Sequence, residues 1–224
     1  GPDPGAAARP CGEPDPAPAG RRPPAPVPSR PPLPPLVPAL HPLRPAGAAA
    51  PGPSTPALRA SRAVGVAAST GGPPALARLL GALPPGFPAA IMVVQHIASG
   101  FERGLVQWLG QQTPLLVKLA EHGEPLRHGT VYLAPEGRHL TALVGTAFLD
   151  DAPPVRGFRP SGTTLLRSIA REYGPSGVGV ILTGMGDDGA DGLMAVRERG
   201  GATLAQGPGS CVVFGMPREA IERG

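Results

Sequence analysis

The chain has 224 residues, with 34 prolines, 33 glycines and a formal charge of +4. Twenty of the prolines fall between Pro2 and Pro56, and the first 60 residues hold six Arg against Asp3, Glu13 and Asp15, which leaves the rest near neutral at +1. That balance excludes an extended nucleic-acid face. The two cysteines, Cys11 and Cys211, give neither a disulfide framework nor a metal-ligand spacing. No apolar run approaches the ~20 residues that span a membrane, and the N-terminus has no secretory h-region, so a cytoplasmic protein without membrane insertion is expected.

Residues 1–60 are Pro, Ala and Gly with almost no aromatic or β-branched side chains. Such a segment cannot bury enough apolar surface to offset the entropy of ordering, and a disordered, Pro/Ala-rich tail is predicted. Its stretch RPPLPPL (30–36) could dock a polyproline-binding groove, although an unstructured spacer is the plainer reading. The chain opens GPDPG rather than with Met, so it reads as processed or as a fragment. Residues 61–224 are long enough for one covered core.

From Arg62 onward, short apolar runs alternate with amphipathic stretches. The pattern predicts an α/β fold, doubly wound, with a mostly parallel sheet and helices on both faces. Strands are expected at Val64–Ala68, Ala90–Gln95 and Leu115–Ala120, with helices near Pro74–Leu83 and Phe101–Gln111 between them. Gly129–Ala134, His139–Val144 and a run ending at Leu149 are joined by tight turns and suggest a short antiparallel extension of the sheet. Ser161–Glu172 reads as a helix with Leu165, Leu166 and Ile169 on one face. Val178–Leu182 is a further buried strand and Asp191–Arg199 a helix. Ala202–Ala205 and Cys211–Phe214 read as strands before a last helix starting in MPREAIERG.

Three of these apolar runs break off into reactive residues: VGVAAS at Ser69, IMVVQH at His96 and GVILTGMGDDG at Asp188. In open α/β sheets, ligands bind beyond the carboxyl ends of the strands. Ser69 lies on a strand-to-helix turn with Thr70, Gly71 and Gly72, where backbone N–H groups can face an oxyanion. Alone, that turn is better explained as an N-cap or a phosphate cradle. His96 ends a strongly apolar run beside the strand carrying Ser69, where it could take the hydroxyl proton. His122 and His128 read as surface-turn residues, His41 lies in the tail, and His139 is a weaker rival at a strand start. Asp187, Asp188 and Asp191 crowd one glycine-rich turn, whose bland reading is a solvated loop capping a helix. It departs from the calcium-loop spacing and lacks the distal Glu. Serine, histidine and aspartate at one sheet edge are the parts of a nucleophilic hydrolase.

At these segments the sequence resembles the catalytic domain of the CheB family of chemotaxis protein-glutamate methylesterases. The stretches VGVAASTGGPPAL, IMVVQHIASGF, GTVYLAPEGRHL, RPSGTTLLRS, GVILTGMGDDGADGL and SCVVFGMPREAI carry the resemblance across nearly all of 62–221. It implies Ser69 as nucleophile, His96 as general base and Asp188, rather than Asp187 or Asp191, as the third member. It further implies that the Met185 backbone N–H helps hold the oxyanion and that Thr70 lines the pocket. The implied reaction is hydrolysis of γ-glutamyl methyl esters on the cytoplasmic helices of chemoreceptors, with release of methanol. The family's related activity is deamidation of receptor glutamines. Neither needs a metal or cofactor.

Two departures from the family pattern are expected to matter. The receiver domain that precedes the family's catalytic domain is replaced by the Pro/Ala tail, so any gating would come from a separate receiver protein. The chain also stops at Gly224, where the family continues through a further strand and helix, so a truncated C-terminus is expected. The rival of another class is a non-catalytic module that docks a receptor or signalling partner. A phosphate or nucleotide binder ranks last, because the G-x-G-x-x-G pattern and a ribose-binding acid are both missing.

Overall fold

The computed structural model describes Gly1 and residues 60–224; the Pro/Ala-rich tail, with Cys11, His41 and the 30–36 stretch, lies outside the described residues. Strands form at β1 (Ala63–Ala68), β2 (Ala90–Gln95), β3 (Leu116–Leu119), β4 (Thr130–Leu133), β5 (His139–Leu143), β6 (Thr146–Asp150), β7 (Gly177–Ile181) and β8 (Ala202–Ala205). Helices form at α1 (Gly72–Gly81), α2 (Glu102–Gln112), α3 (Gly162–Tyr173), α4 (Ala190–Glu198) and α5 (Met216–Glu222). Six strands make one sheet in the order β3-β4-β2-β1-β7-β8, and every pairing in it is parallel. The first strand is therefore central, with the chain winding outward from it on both sides.

The apolar runs are continuous because these strands are covered on both faces. Successive side chains point to opposite faces of a strand. In β2, Ile91 and Val93 join one core layer with Leu76 and Leu80 of α1 and Leu105 and Leu109 of α2. Met92 and Val94 join the other layer, with Leu165, Leu166 and Ile169 of α3 and Leu193 and Val196 of α4. The three α3 side chains are fully buried, each stabilising the fold by about 1.5–3 kcal/mol over exposure. The helix starts where the extended Ser161 caps the N–H of Thr164, and ends before Gly174 with φ of 47°.

Two local expectations are revised. Thr130–Leu133 is not antiparallel: β4 lies in parallel between β3 and β2 and is buried along its whole length. Only β5 and β6 pair antiparallel, and they form a separate two-stranded sheet rather than a continuation of the main one. This hairpin packs on α3, where Ala142 N–H donates to Ser168 Oγ at 2.9 Å. Cys211–Phe214 is not a strand either. The Thr183 hydroxyl accepts the N–H groups of Val212 and Val213, at 3.0 and 2.9 Å, and one bridge joins Gly184 to Phe214. A side chain there takes donors that a ladder would otherwise use.

Candidate active site

The strands ending near Ser69, His96 and Asp188 are immediate neighbours, β2-β1-β7, at the centre of the sheet. The ladder runs a step past the strands: His96 N–H bonds Ala68 O at 2.9 Å, and Ser69 N–H bonds Thr183 O at 3.0 Å. Adjacent strands lie about 4.8 Å apart, which sets the Ser69 and His96 backbones side by side.

Asp188 is 1% exposed, and an isolated buried carboxylate would be costly. It is not isolated. Its Oδ1 accepts the Ser161 hydroxyl at 2.7 Å and Thr163 N–H at 3.0 Å, and its Oδ2 accepts Gly162 N–H at 2.6 Å. The N-terminus of α3 thus closes round the carboxylate, with free backbone donors and the positive end of the helix dipole. His96 Nε2 completes the set at 2.9 Å from Oδ2. Burial alone would raise the Asp188 pKa; the bonds from His96, Thr163, Ser161 and Gly162 outweigh it and hold the carboxyl at about 2. An ionised carboxylate only accepts, so Nε2 carries the imidazole proton. In a neutral imidazole Nδ1 is then the bare nitrogen, and it is buried with no hydrogen-bond partner among the described residues. The imidazole also stacks on the Phe158 ring, with centroids 4.0 Å apart and planes 1° from parallel.

The other two acids of the turn are occupied elsewhere. Asp187 and Asp191 each bind both Arg156 and Arg223, the Arg223–Asp187 and Arg156–Asp191 contacts being 2.8 and 2.9 Å. Only Asp188 faces the histidine. His139, the weaker rival, is fully buried away from Ser69; its Nδ1 accepts Ser161 N–H at 3.2 Å and its Nε2 donates to Pro153 O at 3.2 Å. His122 and His128 are surface residues.

The Ser69 N–H is used by the sheet, but the N–H groups of Thr70 and Met185 have no acceptor among the described residues. Thr70 itself is held through its carbonyl, to which the Thr183 hydroxyl donates at 2.9 Å. Gly184 brings the Met185 peptide against Ser69: a Cβ on Gly184 would lie 2.7 Å from Ser69 Cβ. Met185 turns its side chain to solvent, 74% exposed. Beside His96 lies a cleft of about 380 Å³ lined by Ile97, Glu102, Glu136, Phe158 and Arg159. A second opening flanks Met185, between Asp187 and Phe214.

Residues 64–224 match the CheB methylesterase family. The chain belongs to that family. It is 57% identical over 159 residues to a protein-glutamate methylesterase/protein-glutamine glutaminase of Anaeromyxobacter dehalogenans, covering 71% of this chain and 47% of that protein. It is 52% identical over 162 residues to the protein-glutamate methylesterase FrzG of Myxococcus xanthus, covering 72% and 48%. The chain thus spans about half the length of the curated relatives it matches. The crystal structure of the Thermotoga maritima CheB methylesterase catalytic domain superposes with a TM-score of 0.70 at 41% identity, over 73% of this chain and 88% of that one.

The sequence does not mark the residues that surround Ser69, His96 and Asp188: Ser161, Gly162 and Thr163 hold Asp188, Thr183 holds the Ser69 turn, and Phe158 lies on the imidazole. Ser161 had a usable signal, being a capping residue directly ahead of an amphipathic helix. Phe158 had none, because it lies far from His96 in sequence and only the fold brings the two rings together. Among the described residues, no helix is long and apolar enough to cross a membrane, and no group of three or more His, Cys, Asp or Glu could hold a metal ion.

Proposed function

We propose that this chain is a protein-glutamate methylesterase that hydrolyses γ-glutamyl methyl esters on receptor helices, and that the same site deamidates glutamine side chains there. His96 Nδ1 takes the proton of the Ser69 hydroxyl as Oγ attacks the ester carbonyl. The oxyanion is received by the free N–H groups of Met185 and Thr70. Collapse breaks the bond to methoxide, which leaves as methanol with the proton from His96. Water then attacks the acyl-serine, giving its proton to His96, and the glutamate carboxylate departs as Ser69 regains its hydrogen. With glutamine the leaving group is ammonia. Asp188, ionised at neutral pH, balances the imidazolium in both halves.

The observation that carries this reading is the His96 Nε2–Asp188 bond beside Ser69, with Nδ1 bare. The resemblance and the names of the relatives supply the substrate class. The open position of the site at a sheet edge suits a side chain presented by a helical bundle. The test is methanol release from methylated receptor fragments, read beside labelling by a serine-directed phosphonate. Ser69→Ala is expected to lose both with an unchanged circular-dichroism spectrum. A Ser69→Ala protein as active as the parent would sink the assignment, and an unreactive parent would favour the docking module.

A further inference from the structure

We propose that Gln95 is a positioning residue whose side-chain amide ties the backbone of Ser69 to that of His96 and so sets the distance between nucleophile and base; this rests on the roles given to those two residues above. Gln95 is the last residue of β2 and is 5% exposed. By the alternation of the strand it shares the face of Ile91 and Val93, an apolar layer where a valine or leucine would pack without a polar penalty. Instead the layer holds an amide. Its Nε2 donates to Ser69 O at 2.8 Å and to His96 O at 2.9 Å, which uses both amide hydrogens.

Two irregularities accompany that arrangement. Gln95 Oε1 is buried with no hydrogen-bond partner among the described residues, which is destabilising. Native structures keep few such groups, and each calls for a reason. The oxygen also lies against the first residue of α1: a Cβ on Gly72 would sit 1.9 Å from it. Glycine is thus required there by the amide itself. An unsatisfied acceptor and a glycine at a helix start both weaken the fold locally, so stability does not explain why the amide is present. Alignment does. The β1–β2 ladder reaches His96 N–H, and the Gln95 side chain is the next link joining the two segments. For His96 O it is the sole hydrogen-bond partner among the described residues. Proton transfer needs heavy atoms about 2.6–3.2 Å apart, and a misplacement near 1 Å can cost about 10²-fold.

The experiment uses the full chain with Gln95→Met, which keeps the volume and removes both donors, and Gln95→Glu, which keeps the shape and leaves at most one donor. For methyl-ester hydrolysis, kcat is expected to fall about 10–100-fold with KM unchanged within about twofold. The Tm of Gln95→Met is expected to change little, because the orphan oxygen goes with the amide while His96 O loses its partner. The free protein offers a readout without substrate: the low-field proton resonance of the His96–Asp188 hydrogen bond should be resolved in the parent and broadened or shifted in both variants. A lower Tm with kcat and that resonance unchanged would make Gln95 merely structural and overturn the proposal. A parent that releases no methanol and takes no phosphonate defeats the esterase reading, while the resonance still decides the role of Gln95.

Discussion

The two flanks of the site are built to opposite rules. On the acid flank, Asp188 is buried and receives bonds from Ser161, Gly162, Thr163 and His96. On the Ser69 flank, the N–H groups of Thr70 and Met185 have no acceptor among the described residues and the Met185 side chain stands in solvent. In the proposed reaction the acid flank is complete without a substrate, and the other is completed by one. A saturated shell fixes where the negative charge sits and costs no reorganisation during reaction, whereas unpaired donors bind best whatever brings an oxygen into them.

Breaking the acid flank should have the largest effect. Asp188→Asn puts an amide among donors, losing the imidazolium partner and the tautomer control; kcat for ester hydrolysis is expected to fall about 10³–10⁴-fold, measured as methanol release. Ser161→Ala is the graded version. It removes one bond to a charged acceptor, so kcat should fall about 10–100-fold and stability by about 1.5–3 kcal/mol in urea unfolding. The acid limb gives the sign. Asp188 is held below the ordinary carboxylate range, so its contribution is present above about pH 4 and is lost as pH falls through about 2. Ser161→Ala raises that lower bound, and acid unfolding should begin at higher pH than in the parent. The open flank should respond least. Met185→Ala keeps the backbone N–H, so kcat should change by less than about threefold and stability by about 0.5 kcal/mol or less. A large loss there would mean that the side chain, not the peptide, serves the site.

The same contrast explains what the sequence made visible. Ser69, His96 and the turn of Asp188 stood out because parallel strands buried on both faces are unbroken apolar runs, and the break marks the reactive edge. The antiparallel reading of 129–134 failed because short turns look alike in either direction. Burial along all of β4 shows it to be interior, and only its neighbours reveal its direction. The 211–214 segment has the composition of a strand, but its partner is a threonine hydroxyl, which no periodicity encodes. Apart from His96, the donors to Asp188 lie 25–27 residues upstream on another element. A pattern read within one segment does not reach them, so the open flank was legible as motif and the saturated flank only as structure.

Because Ser69 N–H is spent on Thr183 O, the proposed nucleophile cannot hold the reacting oxygen with its own amide. The two donors proposed for that oxygen, on Thr70 and Met185, belong to turns that follow the paired strands β1 and β7. Both are main-chain groups placed by backbone pairing, so in the proposed reaction substitutions along the cleft would leave the donors to the carbonyl in place.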